Sequence, residues 1–208
     1  MARTSYTAAA RALAERDPAM ARLLDAAGPP RLREPHGTHF EALVRSILYQ
    51  QLAGSAAAAI HARLIAAVDG VVEPERILAL PPETLRAAGL SGNKAASITD
   101  LAVRILDGTV VLDPRRLARE PDEEVITRLS SVRGIGRWTA EMFLIFSLGR
   151  LDVLPLGDLG LRVGMQRQLG LAEIPDNKTL TVLAESWRPY RSVATWYLWR
   201  SFGPVPQS

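Results

Sequence analysis

Cysteine is absent from all 208 residues. That excludes disulfides, Cys-ligated zinc and iron–sulfur clusters, and it fits a reducing cytoplasm. Lysine is nearly absent as well: of 25 basic residues, only Lys94 and Lys178 are Lys. The arginine excess has two readings, a GC-rich genome or the bidentate contacts Arg makes with phosphate. No apolar run reaches the roughly 18 residues that span a bilayer. The Ala-rich N-terminus is broken by Arg3, Arg11, Glu15, Arg16 and Asp17, which leaves no signal-peptide core. Strand patterning is also missing, since Val110-Val111-Leu112 and Val153-Leu154 are short and isolated. No Ser-His-Asp arrangement, P-loop or dinucleotide fingerprint is found. His36 and His39 sit three apart with no third ligand nearby, and they and His61 are read as non-metal residues.

What remains is an ordinary globular composition, 48% apolar and 23% charged, with enough chain for a real core. The net charge is +3 and the pI about 9.7, a balance that permits nucleic-acid binding without demanding it. The pattern is helical almost throughout and predicts ten to twelve short helices. Phe40, Leu43, Val44, Ile47 and Leu48 fall on one helical face. Ser55 is placed to cap an Ala-rich helix running to Val68. Asp17-Pro18, Glu73-Pro74, Pro81-Pro82, Asp113-Pro114 and Pro121-Asp122 open helices. Leu101, Ile105 and Leu106 form a stripe stopped by Gly108. Trp138 to Leu148 reads as one apolar helix, Asp158 to Leu169 as another ending at Gly170, and Asp176 and Pro189 introduce the last two.

Ser131 to Arg137 reads as a hairpin between helices. Gly134 and Gly136 permit backbone angles that a side chain penalises. The helix that follows offers free N–H groups and its dipole to a phosphate, a contact that positions DNA without reading its sequence. Glycine spacing alone is equally that of a plain helix-to-helix turn. Asp158 likewise has an ordinary reading, because Asp opening a helix is usually an N-cap.

The stretch Leu129-Ser130-Ser131-Val132-Arg133-Gly134-Ile135-Gly136-Arg137-Trp138-Thr139-Ala140, with Asp152-Val153-Leu154-Pro155-Leu156-Gly157-Asp158-Leu159 downstream, resembles the helix-hairpin-helix and Gly/Pro loop of the HhH-GPD DNA glycosylase superfamily. Within it the likeness is nearest the 3-methyladenine DNA glycosylase II (AlkA-like) branch. Phe40 to Gln51 resembles that branch's helix leading to a DNA-wedging loop, and Glu185 to Ser192 its C-terminal motif. The resemblance runs from about residue 36 to 202. It implies an all-α fold of two helical subdomains, 1–34 plus 141–208 and 35–140, with a DNA-binding cleft between them and no N-terminal β domain.

By that resemblance Asp158 is the catalytic carboxylate, stabilising the positive charge that builds on the sugar as the glycosidic bond breaks and orienting or deprotonating the attacking water. Asp152 matches no catalytic position and is read as a surface or loop-capping residue. Superfamily members that also cleave the backbone carry a Lys where Trp138 stands. A Schiff base needs an amine, so a monofunctional hydrolysis is expected, in base excision repair of alkylated bases. The target nucleotide must leave the stack, with Gln51 or Leu52 as the wedge. Trp138, Met142 and Leu159 are expected around the base. For Trp138 the alternatives are a cation–π platform for a charged base or a core residue, and for Met142 a pocket wall or core filling. Gly134, Gly136 and Arg137 are expected to hold DNA. Lys94, after Gly89 to Asn93, is a phosphate contact unless Ser91 is only a cap. No cofactor is expected to be required. A monovalent cation on the carbonyls of Ser130, Val132 and Ile135 is implied by the family alone. The expected partner is double-stranded DNA with damaged bases, met by a monomer in the cytoplasm with no membrane contact. The competing functions are a glycosylase for deaminated or oxidised purines and a non-catalytic helix-hairpin-helix DNA-binding module.

Overall fold

Seven helix starts carry a Ser, Thr or Asp whose side-chain oxygen accepts a first-turn N–H, which satisfies donors the helix cannot satisfy itself. The computed structural model describes residues 5–30 and 37–201. In chain order the helices are α1 (Tyr6–Ala14), α2 (Pro18–Ala27), α3 (His39–Tyr49), α4 (Gly54–Ala67), α5 (Pro74–Ala79), α6 (Pro82–Ala87) and α7 (Gly92–Leu106). There follow α8 (Pro114–Leu117), α9 (Asp122–Ser130), α10 (Arg137–Met142), α11 (Leu159–Leu169), α12 (Asn177–Leu183) and α13 (Arg191–Arg200). The seven capping side chains are Ser5, Asp17, Thr38, Ser91, Asp113, Asp158 and Asp176. No strand occurs among the described residues, and none of their helices is long and apolar enough to cross a membrane.

Three local expectations are corrected. α4 starts on Ala53 without a side-chain cap, so Ser55 lies inside its first turn instead of capping it. The buried stripe of α7 is Ile98, Leu101 and Ala102, whereas Leu106 is exposed because the helix ends there. The apolar segment after Trp138 is not one α-helix: α10 passes into a π turn, Phe143–Ser147.

The chain forms two compact units, Pro35–Phe143 and Met1–Glu34 with Leu144–Gln207. In the first, Phe40, Leu43, Val44, Ile47 and Leu48 of α3 are buried where the helix packs on α4 and α7. Each large side chain so removed from water is worth about 2 kcal/mol. α5 covers another part of α7, and α9 lies on α10. In the second unit α13 is the central element, packed on α1, α2 and α11. Its residues Ser192 to Trp199 are all buried, as expected of a helix enclosed on every side. Asp17 caps α2 with one oxygen and accepts Trp187 Nε1–H at 2.9 Å with the other. Tyr197 donates its hydroxyl to Gly28 O at 3.0 Å, and burial pushes the phenol up to about 12.

Candidate active site

The chain turns over Pro155, where Asp158 N–H reaches Pro155 O at 2.9 Å, and enters α11. Asp158 Oδ1 accepts two hydrogen bonds, from Leu161 N–H at 2.6 Å and from Trp199 Nε1–H at 2.8 Å. The first is the N-cap that the sequence suggests. The second comes from the far end of α13, 41 residues away, and sequence reasoning missed it. Gly160 makes room for the indole. A Cβ there would lie 3.1 Å from both Asp158 Oδ1 and Trp199 Cδ1. Behind the indole, Phe146 is stacked with ring centroids 6.0 Å apart and planes 22° from parallel.

The segment leading to Asp158 is anchored at the opposite end of α13. Asp152 accepts from Arg188 Nη1 at 2.7 Å and from Arg191 Nε at 2.8 Å and Nη2 at 3.0 Å. Ser192 N–H reaches Leu151 O, and its hydroxyl oxygen accepts Val153 N–H, both at 2.9 Å. Charge-assisted, forked bonds of this kind fix geometry strongly. Asp152 is therefore a loop anchor. The carboxylate of Asp158 is recessed at 6% exposure, while the next residue, Leu159, is 62% exposed. Scarcity of water around a fixed carboxylate strengthens its field on a developing cation.

The hairpin joins α9 to α10. Ile135 N–H closes onto Val132 O at 3.1 Å, and both side chains are buried as anchors. Gly134 adopts a φ of 76°, and a Cβ there would collide with the Ser97 hydroxyl. Gly136 is the N-cap of α10 with no side-chain cap, and the space over it is open. The turn is braced from behind by α7. Arg133 N–H donates to Asp100 Oδ2 at 2.8 Å, and the Arg133 guanidinium donates to Asn93 Oδ1 at 3.1 Å. Gln50 Nε2 donates to Gly134 O at 3.0 Å.

Two residues expected on DNA are committed elsewhere. Lys94 Nζ donates to the carbonyls of Leu48 and, at 2.7 Å, of Gln50, acceptors left over at the end of α3. Loss of water at this position draws the ammonium below its ordinary value. Its own N–H takes the Ser91 cap at 3.3 Å. The Arg137 guanidinium is forked onto Glu123 at 2.5 and 3.0 Å and bonded to Glu141 at 3.0 Å. These carboxylates raise its pKa, Glu123 most, so the guanidinium stays charged and already has two anionic partners. Met142 is buried and fills core. Trp138 is 40% exposed and Leu52 38%, and the neighbouring Gln51 is exposed with a left-handed φ of 57°.

His36 lies outside the described residues. His39 holds Leu112 O through Nδ1 at 3.1 Å and meets Phe143 edge-on. His61 is pushed down by burial and by Arg45. No group of three or more His, Cys, Asp or Glu among the described residues could hold a metal ion.

An exposed glycine turn between two helices, open at the N-terminus of the second, defines a helix-hairpin-helix element. The chain belongs to the HhH-GPD superfamily of base excision DNA repair proteins, whose family model matches residues 44–189. DNA-3-methyladenine glycosylase 1 of Schizosaccharomyces pombe is 38% identical over 164 residues, 78% of this chain and 72% of the relative. The solved S. pombe 3-methyladenine DNA glycosylase in complex with abasic DNA matches with a TM-score of 0.79 at 35% identity, covering 93% of this chain and 95% of that one. A Bacillus halodurans DNA-3-methyladenine glycosidase matches with a TM-score of 0.82 at 36% identity, covering 93% and 88%.

Proposed function

We propose that this chain is a monofunctional DNA glycosylase that releases alkylated bases of the 3-methyladenine type from double-stranded DNA in base excision repair. The observation that carries the reading is the Asp158 carboxylate, fixed by Leu161 N–H and Trp199 Nε1–H. The turn through Gly134 and Gly136 brings a phosphate to the N-terminus of α10. Gln51, or Leu52 beside it, fills the stack that the everted nucleotide leaves. The exposed face of Trp138 suits a base made cationic by alkylation.

Such a base leaves readily, taking the electron pair of the glycosidic bond. Asp158 stabilises the sugar cation, and water adds its oxygen to C1′ and gives its proton to the carboxylate. The product is an abasic site with the backbone intact. No amine stands at position 138, Lys94 is bound to carbonyls, and Lys178 is exposed on α12.

The carbonyls of Ser130, Val132 and Ile135 fit a hard monovalent cation, which would add positive charge to the phosphate grip. Of these three carbonyls only that of Val132 accepts one of the backbone hydrogen bonds found outside the helices, and a carbonyl has a second lone pair. The protein acts as a monomer in the cytoplasm, at the nucleoid if the source is bacterial.

The test is incubation with methylated duplex DNA. Free 3-methyladenine and alkali-labile abasic sites are expected, with no covalent adduct trapped by borohydride. Trapping in good yield overturns the monofunctional assignment, and absence of base release overturns the function.

A further inference from the structure

Helix α7 has two faces. Ile98, Leu101 and Ala102 are buried in the core. Asn93, Ser97, Asp100 and Arg104 recur at i, i+4, i+7 and i+11 and so form a polar line along the same helix, with Lys94 beside its first member. This polar line is fully engaged. Lys94 Nζ holds Leu48 O and Gln50 O, where α3 gives way to the loop carrying Gln51 and Leu52. Asn93 and Asp100 hold Arg133, and Arg104 Nε steadies the same Asp100 oxygen at 2.9 Å. Ser97 Oγ donates to Asn93 O at 2.9 Å and lies where a Cβ of Gly134 would be. Gln50 closes the triangle by donating to Gly134 O, with Thr139 Oγ1 at 3.4 Å from the same nitrogen. Gln51, meanwhile, keeps a left-handed backbone that a residue with a Cβ disfavours.

We propose that this polar line of α7 is a positioning strut: Lys94 secures the wedge loop and Asn93, Ser97 and Asp100 secure the hairpin, so that wedge and grip meet the duplex at one fixed separation. The proposal rests on the glycosylase reading and deepens it by assigning Lys94 and Gln50 to base eversion through the loop they hold, not through contact with DNA. Inserting a wedge while a phosphate is gripped requires the two parts to stay in register. A nucleotide that is already unpaired does not need that step. Loss of the strut therefore slows release from paired DNA selectively.

The experiment uses the full chain with single-turnover kinetics at saturating enzyme. Two duplexes are compared, one with an alkylated purine in a base pair and one with the same purine in a one-nucleotide bulge. Lys94→Met is expected to slow release from the paired site about tenfold and from the bulge less than about twofold, since small misplacements cost rate steeply. Lys94→Arg, which keeps donors for both carbonyls, restores most of the loss. Gln50→Leu, which cuts the bridge to Gly134 without touching Lys94, repeats the selective pattern and decides the matter if Lys94→Met does not fold. Equal slowing on both substrates, or none on either, overturns the strut. A 2-aminopurine reporter at the eversion site separates this from the function itself. If the wild type releases no base, the glycosylase reading fails, and the strut then stands only if wild-type binding raises the fluorescence and Lys94→Met binding does not.

Discussion

Asp158 and the turn at Gly134 to Gly136 are held by opposite means. The acid is a single recessed side chain, fixed by an indole N–H, a backbone N–H and a loop clasped at the start of α13. The turn is exposed backbone with no capping side chain in front; it is steadied by its own buried Val132 and Ile135 and, from behind, by Asn93, Ser97, Asp100 and Gln50. On the proposed function, the difference follows from what each must do. A carboxylate that stabilises charge acts best where water is scarce and its direction is fixed. A phosphate grip must stay open to a large ligand, so its rigidity has to be supplied from the rear.

The comparison breaks first at Asp158 itself. Asp158→Asn keeps the cap, because Asn caps helices as well as Asp, and is expected to slow base release by at least about a hundredfold. Gly134→Ala strikes the other region. The left-handed φ and the Ser97 hydroxyl both oppose the new methyl group, and abasic-duplex affinity is expected to fall about tenfold in a titration, with the salt slope little changed because no charged side chain is lost. Because the same clash disturbs the Ser97 contact of the strut, its single-turnover rate at saturating enzyme should fall on paired DNA and change little on a bulged nucleotide. Trp199→Phe retains a ring against Phe146 but removes a donor to a charged acceptor. That costs about 1.5 kcal/mol, or about tenfold in rate, with DNA affinity unchanged.

Glu120 serves as the control outside both regions. It is buried and forked onto Arg128, whose hydrogen bonds hold its carboxyl below the usual glutamate value. A depressed folded pKa contributes stability above the unfolded value and loses it as pH falls through the folded one. Glu120→Gln should therefore lower stability by about 2 kcal/mol near neutral pH, and that deficit should shrink on acidification below the ordinary glutamate range. Base release should be untouched, and the calorimetric melting temperature measured against pH checks the rest.

What could be read from sequence divides along similar lines. The caps at Asp17, Asp113, Asp158 and Asp176, the buried face of α3 and the left-handed Gly170 closing α11 are local signals, each settled within a few residues. The partners of Lys94, Arg137 and Asp158 are not local. Lys94 reaches back 44 and 46 residues and Trp199 41, distances over which no periodicity carries information. A lone basic residue near a glycine loop suggests a phosphate until a helix end with spare carbonyls is seen beside it. Arg137 had a legible partner in Glu141, one turn on, and that spacing could have warned against counting it as free charge. The polar repeat of Asn93, Ser97, Asp100 and Arg104 was equally visible. Its role was not, because the hairpin residue that Asp100 and Asn93 meet lies 33 and 40 residues further along the chain.

The central claim is that the Asp158 carboxylate serves chemistry and is more than a helix cap. Its most direct test is the affinity of Asp158→Asn for a duplex carrying an abasic analogue, measured beside the wild type. Affinity within about threefold of wild type, with base release gone, is the predicted result. Binding that collapses together with release would mean that Asp158 holds up the fold, and would contradict the account.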